Sequence, residues 1–358
     1  MSPALPSASQ AHGYEGIRVR AAVVERYGGP EVVRVQEVRP PEPGVSDVLV
    51  QVRAAAVTSG DARIRGARFP TGFAVPARLA LGVRRPRRRV LGSAFSGVVA
   101  AAGSAVEGLS IGDEVAGMAG MRMGAHAEML VVPAARAVRK PAAVSHEDAA
   151  GVLFGGTTAL YYLRDRAAVA PGATVLVNGA SGAVGTCAVQ LAKHLGAVVT
   201  GVTSGTNAEL VTSLGADRVI DHTTTDLSSI TARYDVVLDT VGNLTIASGR
   251  RLLAPGGQLL LAVATLGQML GARGDVAAGS SAERAEDVAY LLQLVADGQL
   301  RVVLDQVVGL DDIAEVHRRI DTGRKVGNAI VRPWLRTDRA AAPAQLGRHQ
   351  ESRSDWLQ

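Results

Sequence analysis

One short segment limits how this chain can fold more than any other: Thr174-Val-Leu-Val-Asn-Gly179-Ala180-Ser181-Gly182-Ala183-Val184-Gly185. A strand-like run, residues 175–178, leads into a turn built only of small residues. A helical pattern over 183–195 follows at once. A pyrophosphate needs backbone N–H donors at a helix N-terminus and no side chain in its way. Gly182 lets the backbone approach a phosphate, and Gly185 lets helix and strand pack closely. The first glycine of a G-x-G-x-x-G fingerprint is Ala180 here. Such letters carry weight only between a strand and a helix inside a βαβ unit.

The flanking pattern supplies that context. Ser145-His146-Glu147-Asp148 reads as a helix start, with Ser145 as N-cap and acids in the first turn. Strands are expected beyond it at 175–178, 197–202, 218–221, 234–239, 258–263 and 302–308. Helices are expected between and after them at 183–195, 207–214, 283–297 and 310–321, with a final strand at 329–331. Alternation of this kind predicts an α/β fold with a doubly wound parallel sheet. Before Ser145 the texture differs. Short β-like runs at 18–25, 32–38, 47–56, 97–102, 114–117 and 127–133 are punctuated by Gly and Pro, as in Tyr27-Gly-Gly-Pro and Pro40-Pro-Glu-Pro-Gly44. They predict a barrel-like β domain. A chain of 358 residues, 47 % hydrophobic and 20 % charged, can bury two such cores.

Other classes are excluded by counting. Cys187 is the only cysteine, so no internal disulfide and no cysteine-rich zinc site can form. The lone thiol fits a cytoplasmic protein. No apolar run reaches the roughly 18 residues of a membrane span, and 1–16 lack the pattern of a signal peptide. Residues 1–16 and 336–358 read as disordered tails. The net charge is +5, and of 38 basic residues only Lys140, Lys193 and Lys325 are lysine. Arg84, Arg85, Arg87, Arg88 and Arg89 form one dense cluster, either a solvated loop or a patch for an anion or nucleic acid. Aromatics make up 3 % of the chain and are not interleaved with these arginines, so nucleic acid is not expected as a partner. Nor is a membrane.

The end of the second strand selects the nucleotide. A carboxylate there would hold a ribose 2′-OH. This chain reads Thr203-Ser204-Gly205-Thr206-Asn207, hydroxyl-rich and free of acids, which favours NADP(H) over NAD(H), although no Arg or Lys stands there either.

The order of several further stretches is specific: Tyr27-Gly-Gly-Pro-Glu-Val, Leu91-Gly-Ser-Ala-Phe-Ser-Gly-Val-Val, Gly112-Asp-Glu-Val, Gly124-Ala-His-Ala-Glu, Gly156-Thr-Thr-Ala159, Leu214-Gly-Ala-Asp-Arg-Val-Ile-Asp221, Asp239-Thr-Val-Gly242 and Pro255-Gly-Gly-Gln-Leu. With them the chain resembles the zinc-less medium-chain dehydrogenases/reductases, near the quinone oxidoreductases, from about Ile17 to Pro333. The resemblance implies a GroES-like catalytic domain over 17–147, completed by 309–335, and an inserted Rossmann NADP-binding domain over 148–308. It also implies a homodimer and an active site between the domains. Thr158, Val263 and Asn328 match residues at the nicotinamide ring, and Thr203 and Ser204 match residues at the adenosine end. Ala180, Ser181, Gly182, Ala183, Val184, Gly185 and Val241 complete the expected cofactor contacts. Zinc-dependent relatives ligate their metal where this chain has Thr58 and Ser93-Ala94, and they carry a four-cysteine lobe absent here, so no zinc is expected. Quinone oxidoreductases often have Asn at the Thr58 position and Tyr near Arg63, and both differ here.

The expected reaction is zinc-independent hydride transfer from NADPH to a quinone or α,β-unsaturated carbonyl. The alternatives are an alcohol/carbonyl oxidoreductase and an NADPH-binding protein without catalysis, whether sensor, crystallin-like or RNA-binding. Thr58 is the first candidate to donate a hydrogen bond to the developing oxyanion. It reads equally as a cap for the helix that contains Asp61. Tyr162, with Tyr161 beside it, is a candidate proton donor, and packing is the other reading for both. His126 and Cys187 are expected to be structural.

Overall fold

The computed structural model describes residues 16–279 and 281–336. The two tails expected from composition fall outside the described residues, except for Gly16 and Arg336. The Gly- and Pro-punctuated first part forms a barrel-like sheet around the eleven-residue strand Asp47–Val57. That strand pairs antiparallel with Ala94–Ala102, with Met129–Pro133 and, at its far end, with Asn328–Arg332. Register shifts at Leu49/Val50 and Val52/Ala54 bend it, so one strand can serve three partners. Glu114–Met118 and Ala137–Arg139 extend the sheet. Val50, Val52, Phe95, Val115 and Leu130 fill its interior with Val331 from the end of the chain.

The alternating part forms a six-stranded, wholly parallel sheet. Its spatial order is Arg218–Asp221, Val198–Thr203, Thr174–Asn178, Tyr234–Asp239, Leu253–Leu261, Val276–Ala278. Numbered along the chain this is 3-2-1-4-5-6, which reverses direction between Thr174–Asn178 and Tyr234–Asp239. The first strand is buried on both faces. Val175 and Val177 join one core layer and Leu176 the other, which is why it reads as a continuous apolar run. The family-level expectation of a GroES-like domain beside a Rossmann domain is the fold observed.

One strand was expected in the wrong sheet. The run 302–308 reads as the last strand of the parallel sheet, but Leu304–Gly309 pairs with Asn328–Arg332 in the barrel sheet. The sixth parallel strand is Val276–Ala278. Apolarity marks a strand as buried without naming its partner, and a three-residue strand is too short to produce a period. Chain therefore re-enters the first domain by Leu304, ahead of the expected 309.

Helix His146–Leu160 joins the two halves. Ser145 caps it as expected, its hydroxyl accepting from the Asp148 N–H at 3.0 Å. The helix packs on the barrel strands Asp47–Val57 and Ala94–Ala102 and on helix Ala183–His194. Beyond it the chain continues as a π turn, Tyr161–Arg166.

Helix Ile313–Asp321 closes one side of the barrel and buries His317 with neither ring nitrogen hydrogen-bonded. Its ring lies edge-on to His126 at 6.3 Å. Burial, then the neighbouring His126, lowers the His317 pKa, with Asp61 opposing and Arg65 and Arg68 reinforcing. A depressed folded pKa means that the unfolded chain binds the proton first. The associated stability is therefore present above the unfolded value, about 6.5, and lost as pH falls through and below it. Melting temperature measured from neutral to mildly acid pH should fall for the native chain. H317L should flatten that slope by about one proton, or about 1.4 kcal/mol per pH unit.

Candidate active site between the two domains

At the point where strand order reverses, a cleft of about 1720 Å³ opens between the parallel sheet and the barrel. Its floor is the small-residue turn. Gly179 has φ +83°, and a Cβ there would lie 2.6 Å from the Thr240 hydroxyl. A Cβ on Gly185 would lie 2.1 Å from the Gly179 carbonyl oxygen, so this position tolerates only glycine. Ala180 is fully buried, and its N–H donates to the Val202 carbonyl at 2.9 Å. Opposite its methyl stands Gly201, where a Cβ would lie 3.1 Å from the Ala180 Cβ. The side chain gained at the first fingerprint position is thus matched by one absent from the next strand. Ser181, Gly182, Ala183 and Val184 line the cleft. Ala183 and Val184 open the helix Ala183–His194, whose first amides have no partner within the helix and whose N-terminus carries positive partial charge.

The barrel domain is stitched to this turn through backbone. The Gly327 N–H donates to the Ser181 carbonyl at 2.8 Å, and Gly327 bridges Gly182 in parallel fashion. The preceding residues, Arg324, Lys325 and Val326, line the cleft. Lys325 donates to the Gly327 carbonyl, and burial lowers its ammonium pKa to about 8 against the opposing pull of Asp305. Arg319 also lines the cleft but is held by Asp305 through two bonds of 3.1 Å.

Buried Asp239 organises the loop on the other side. Its carboxylate accepts from the N–H groups of Val241, Gly242 and Leu244 at 2.9–3.1 Å, and from the Asn178 amide at 2.9 Å. This fixes Val241, which faces the cleft. At the end of strand Val198–Thr203 the hydroxyl-rich turn is knit together. Thr203 donates to the Ser181 hydroxyl at 2.8 Å, and the Asn207 amide reaches both Ser181 and Ser204. A carboxylate does adjoin this turn: Asp221 ends the next strand, and its oxygen would lie 2.5 Å from a Cβ on Gly205. Thr223 occupies Asp221 with its N–H and its hydroxyl, at 2.9 and 2.7 Å, and these bonds hold the carboxyl below its usual range. His222 and Arg251, remote from the turn in sequence, line the same cleft. These basic groups are not legible from the turn's own residues.

The expected residues divide into two sets. Thr158, Ser181, Gly182, Ala183, Val184, Thr203, Ser204, Val241 and Val263 all line the cleft. Ala180 and Gly185 lie beneath its floor, and Asn328 is buried with its amide on the Val303 carbonyl at 3.3 Å. Neither catalytic candidate is free. Thr58 caps helix Ser59–Gly66, donating to the Asp61 carboxylate at 2.6 Å and accepting the Asp61 N–H at 3.2 Å. Tyr162 is 1 % exposed, is not part of the lining, and its hydroxyl bonds the Leu261 and Gly279 carbonyls at 2.9 and 2.7 Å. Burial also pushes its pKa well above the usual phenol value, so it keeps its proton. His126 bonds the Ala56 carbonyl at 3.0 Å, and burial pushes the Cys187 thiol up to about 12. Ser59, Gly60 and Arg63, which the sequence also missed as site residues, face the cleft from the barrel side. Burial lowers the Arg63 pKa, neighbouring Arg68 adds to this, and Arg63 meets no carboxylate among the described residues.

The positions where zinc-dependent relatives hold their metal do not fit a zinc ion. The Thr58 hydroxyl is committed to Asp61, the Ser93 hydroxyl accepts the Gly120 N–H at 3.0 Å, and Ala94 has no donor. Among the described residues no group of three or more His, Cys, Asp or Glu is arranged so that it could hold a metal ion.

Comparison with known proteins agrees with this anatomy. Residues 44–142 match the alcohol dehydrogenase GroES-like domain, and residues 214–331 match the zinc-binding dehydrogenase domain. The chain is 29 % identical over 330 residues to a quinone oxidoreductase of Pseudomonas aeruginosa, covering 86 % of this chain and 97 % of that one. It is 29 % identical over 319 residues to the 2-methylene-furan-3-one reductase of Solanum lycopersicum, covering 86 % and 77 %. Among solved structures, that of mycobacterial Rv1454c complexed with NADPH superposes with a TM-score of 0.74 at 27 % identity, covering 88 % of this chain and all of the other. On its two-domain fold, its interdomain cleft and these matches, the chain belongs to the medium-chain dehydrogenase/reductase family, as a quinone-oxidoreductase-like member.

Proposed function

We propose that the protein is an NADPH-dependent oxidoreductase that reduces a quinone or an α,β-unsaturated carbonyl, with no metal in the chemical step. The observation that carries this reading is the pairing, across one cleft, of a phosphate-binding turn with an arginine from the opposite domain. Ser181 to Val184 would take the pyrophosphate, where a Cβ on Gly182 would meet only the Gly179 carbonyl oxygen, at 3.4 Å. Lys325 adds a cation beside that turn. Thr203, Ser204, His222 and Arg251 would hold the adenosine end, with His222 and Arg251 able to accept a 2′-phosphate. Thr158, Val241 and Val263 would bound the nicotinamide end. When bound, the reduced nicotinamide supplies a hydride.

The chain's own contribution is to orient the acceptor and to stabilise charge. Reduction of a quinone or enone builds negative charge on an oxygen. Arg63, half-buried on the barrel wall, is the cation able to meet it. Exposed Ser59, one residue past the committed Thr58, offers a hydroxyl beside it. The two positions where zinc relatives ligate metal supply no such ligands, so this reading assigns charge stabilisation to Arg63.

Three outcomes test the reading. R63Q should lower kcat for a quinone or enone by about 10²–10³-fold, the range for loss of one oxyanion donor, with NADPH affinity unchanged in a fluorescence titration. R251Q should weaken NADPH by about tenfold or more while leaving NADH binding nearly as it was, consistent with loss of one phosphate contact. With its pKa lowered by burial to about 8, Lys325 sheds its proton as pH rises through that value. NADPH affinity should therefore decline as pH rises through about 8 to 9, should lose that decline in K325R, and should be weak at every pH in K325M.

A further inference from the structure

We propose that helix Ala74–Leu81, with the arginine run that follows it, is a docking face for an anionic lipid surface. The helix reads Ala-Val-Pro-Ala-Arg-Leu-Ala-Leu, apolar on nearly every side, yet none of its residues is buried. Val75 is 70 % and Leu79 60 % exposed, one turn apart on one face, and Val83 just beyond is 59 % exposed. A helix apolar all round belongs in an apolar environment. This one is held to the protein from beneath. Arg78 lies over the Tyr27 ring at 5.5 Å, the Tyr27 hydroxyl donates to the Gly82 carbonyl at 2.5 Å, and the Thr71 carbonyl accepts the Leu266 N–H at 3.0 Å.

The chain then turns back on the helix end. Gly82 has φ +123°, a Cβ there would lie 2.0 Å from the Arg85 carbonyl oxygen, and the Arg87 N–H donates to the Leu81 carbonyl at 2.6 Å. This fold keeps Arg84, Arg85, Arg87, Arg88 and Arg89 next to Val83 and the helix end. All five are exposed, and among the described residues only Arg89 meets a carboxylate, that of Glu25.

Charge selects the occupant. A second copy on this face would bring two arginine clusters together across the symmetry axis, with repulsion where the apolar residues attract. An anionic bilayer offers both complements at once, an apolar layer for Val75, Leu79 and Val83 and phosphates for the arginines. The inference is independent of the reaction proposed above and departs from the expectation, drawn from the sequence, of no membrane partner. The contact is peripheral, since no described helix is long and apolar enough to cross a membrane.

The test is flotation of the full chain with vesicles of phosphatidylcholine alone and of phosphatidylcholine with roughly one-third phosphatidylglycerol. The expected result is binding to the anionic vesicles only, released by raising salt to about 0.5 M, where screening is short-ranged. V75S/L79S and the Arg84, Arg85, Arg87, Arg88→Gln variant should each bind roughly tenfold more weakly or worse. Unchanged NADPH titration in both variants would show that the fold survives. Absence of vesicle binding by the native chain overturns the proposal. Binding that V75S/L79S leaves intact also overturns it, because the arginines then adsorb without insertion. A dimer without lipid that V75S/L79S dissociates, seen by sedimentation, overturns it in favour of a second copy.

Discussion

Everything the cleft offers depends on how closely two backbones approach the start of helix Ala183–His194. On one side a Cβ on Gly155 would lie 2.2 Å from the Ala183 carbonyl oxygen, and on the other a Cβ on Gly185 would lie 2.1 Å from that of Gly179. The helix N-terminus is thus gripped between helix His146–Leu160 and its own strand–turn. The gripping helix also packs on the barrel. The element that aims the free amides at a ligand is therefore the one that sets the position of the opposite wall. A side chain at either glycine would push the turn off the switch point of the sheet and move Arg63 relative to it. The Gly327–Ser181 bond closes the same seam from the C-terminal side. The aim of the helix N-terminus and the interdomain geometry are in this way one constraint.

The sequence exposed what is local. The turn was legible because strand, small residues and helix are consecutive, and the Ser145 cap because its partners lie within one helical turn. The two readings of Thr58 were separated only by coordinates, since capping and catalysis ask for the same hydroxyl at the same place. The structure gave that proton to Asp61, three residues on. Tyr162 lies off the cleft for a reason no pattern shows: its hydroxyl is taken by two carbonyls, one of them 117 residues away at Gly279. Arg63, Lys325 and Arg251 lay among 38 basic residues with nothing local to distinguish them. Their place in one cleft comes from pairing strand Asp47–Val57 with Asn328–Arg332 and from the return of the chain past the small-residue turn. The apolar run at 302–308 misled for the mirror-image reason, because its hydrophobicity was real and its sheet was not encoded nearby.

The arginines also show how charge is partitioned. Arg65 is 1 % exposed and bound to Asp321 at 2.6 Å, and Arg319 is forked onto Asp305. Buried or clamped cations of this kind settle geometry, since removing either partner strands a desolvated charge. Arg63 stands two residues before Arg65 on the same short helix, yet it is turned to the cleft without a carboxylate. The helix therefore carries a structural cation on one face and a chemically available one on another. The Thr58–Asp61 capping box, with the Gly92 N–H also bonded to Asp61 at 3.0 Å, fixes which face is which.

Availability, more than connectivity, separates chemistry from structure in this fold. Ser96, His146 and Glu114 show the point. The Ser96 hydroxyl lies 2.8 Å from His146 Nδ1, and His146 Nε2 lies 3.5 Å from a Glu114 oxygen, the order of a nucleophile, a base and an orienting acid. But Ser96 is wholly buried and donates its proton to the Val115 carbonyl at 3.0 Å. Glu114 is tied to Lys140 at 2.8 Å, and burial keeps the His146 pKa low. No substrate can reach that hydroxyl, and no base is free to take its proton. The set serves to join the first turn of helix His146–Leu160 to strands Ala94–Ala102 and Glu114–Met118. It is part of the grip on helix Ala183–His194, at one remove from the site it resembles.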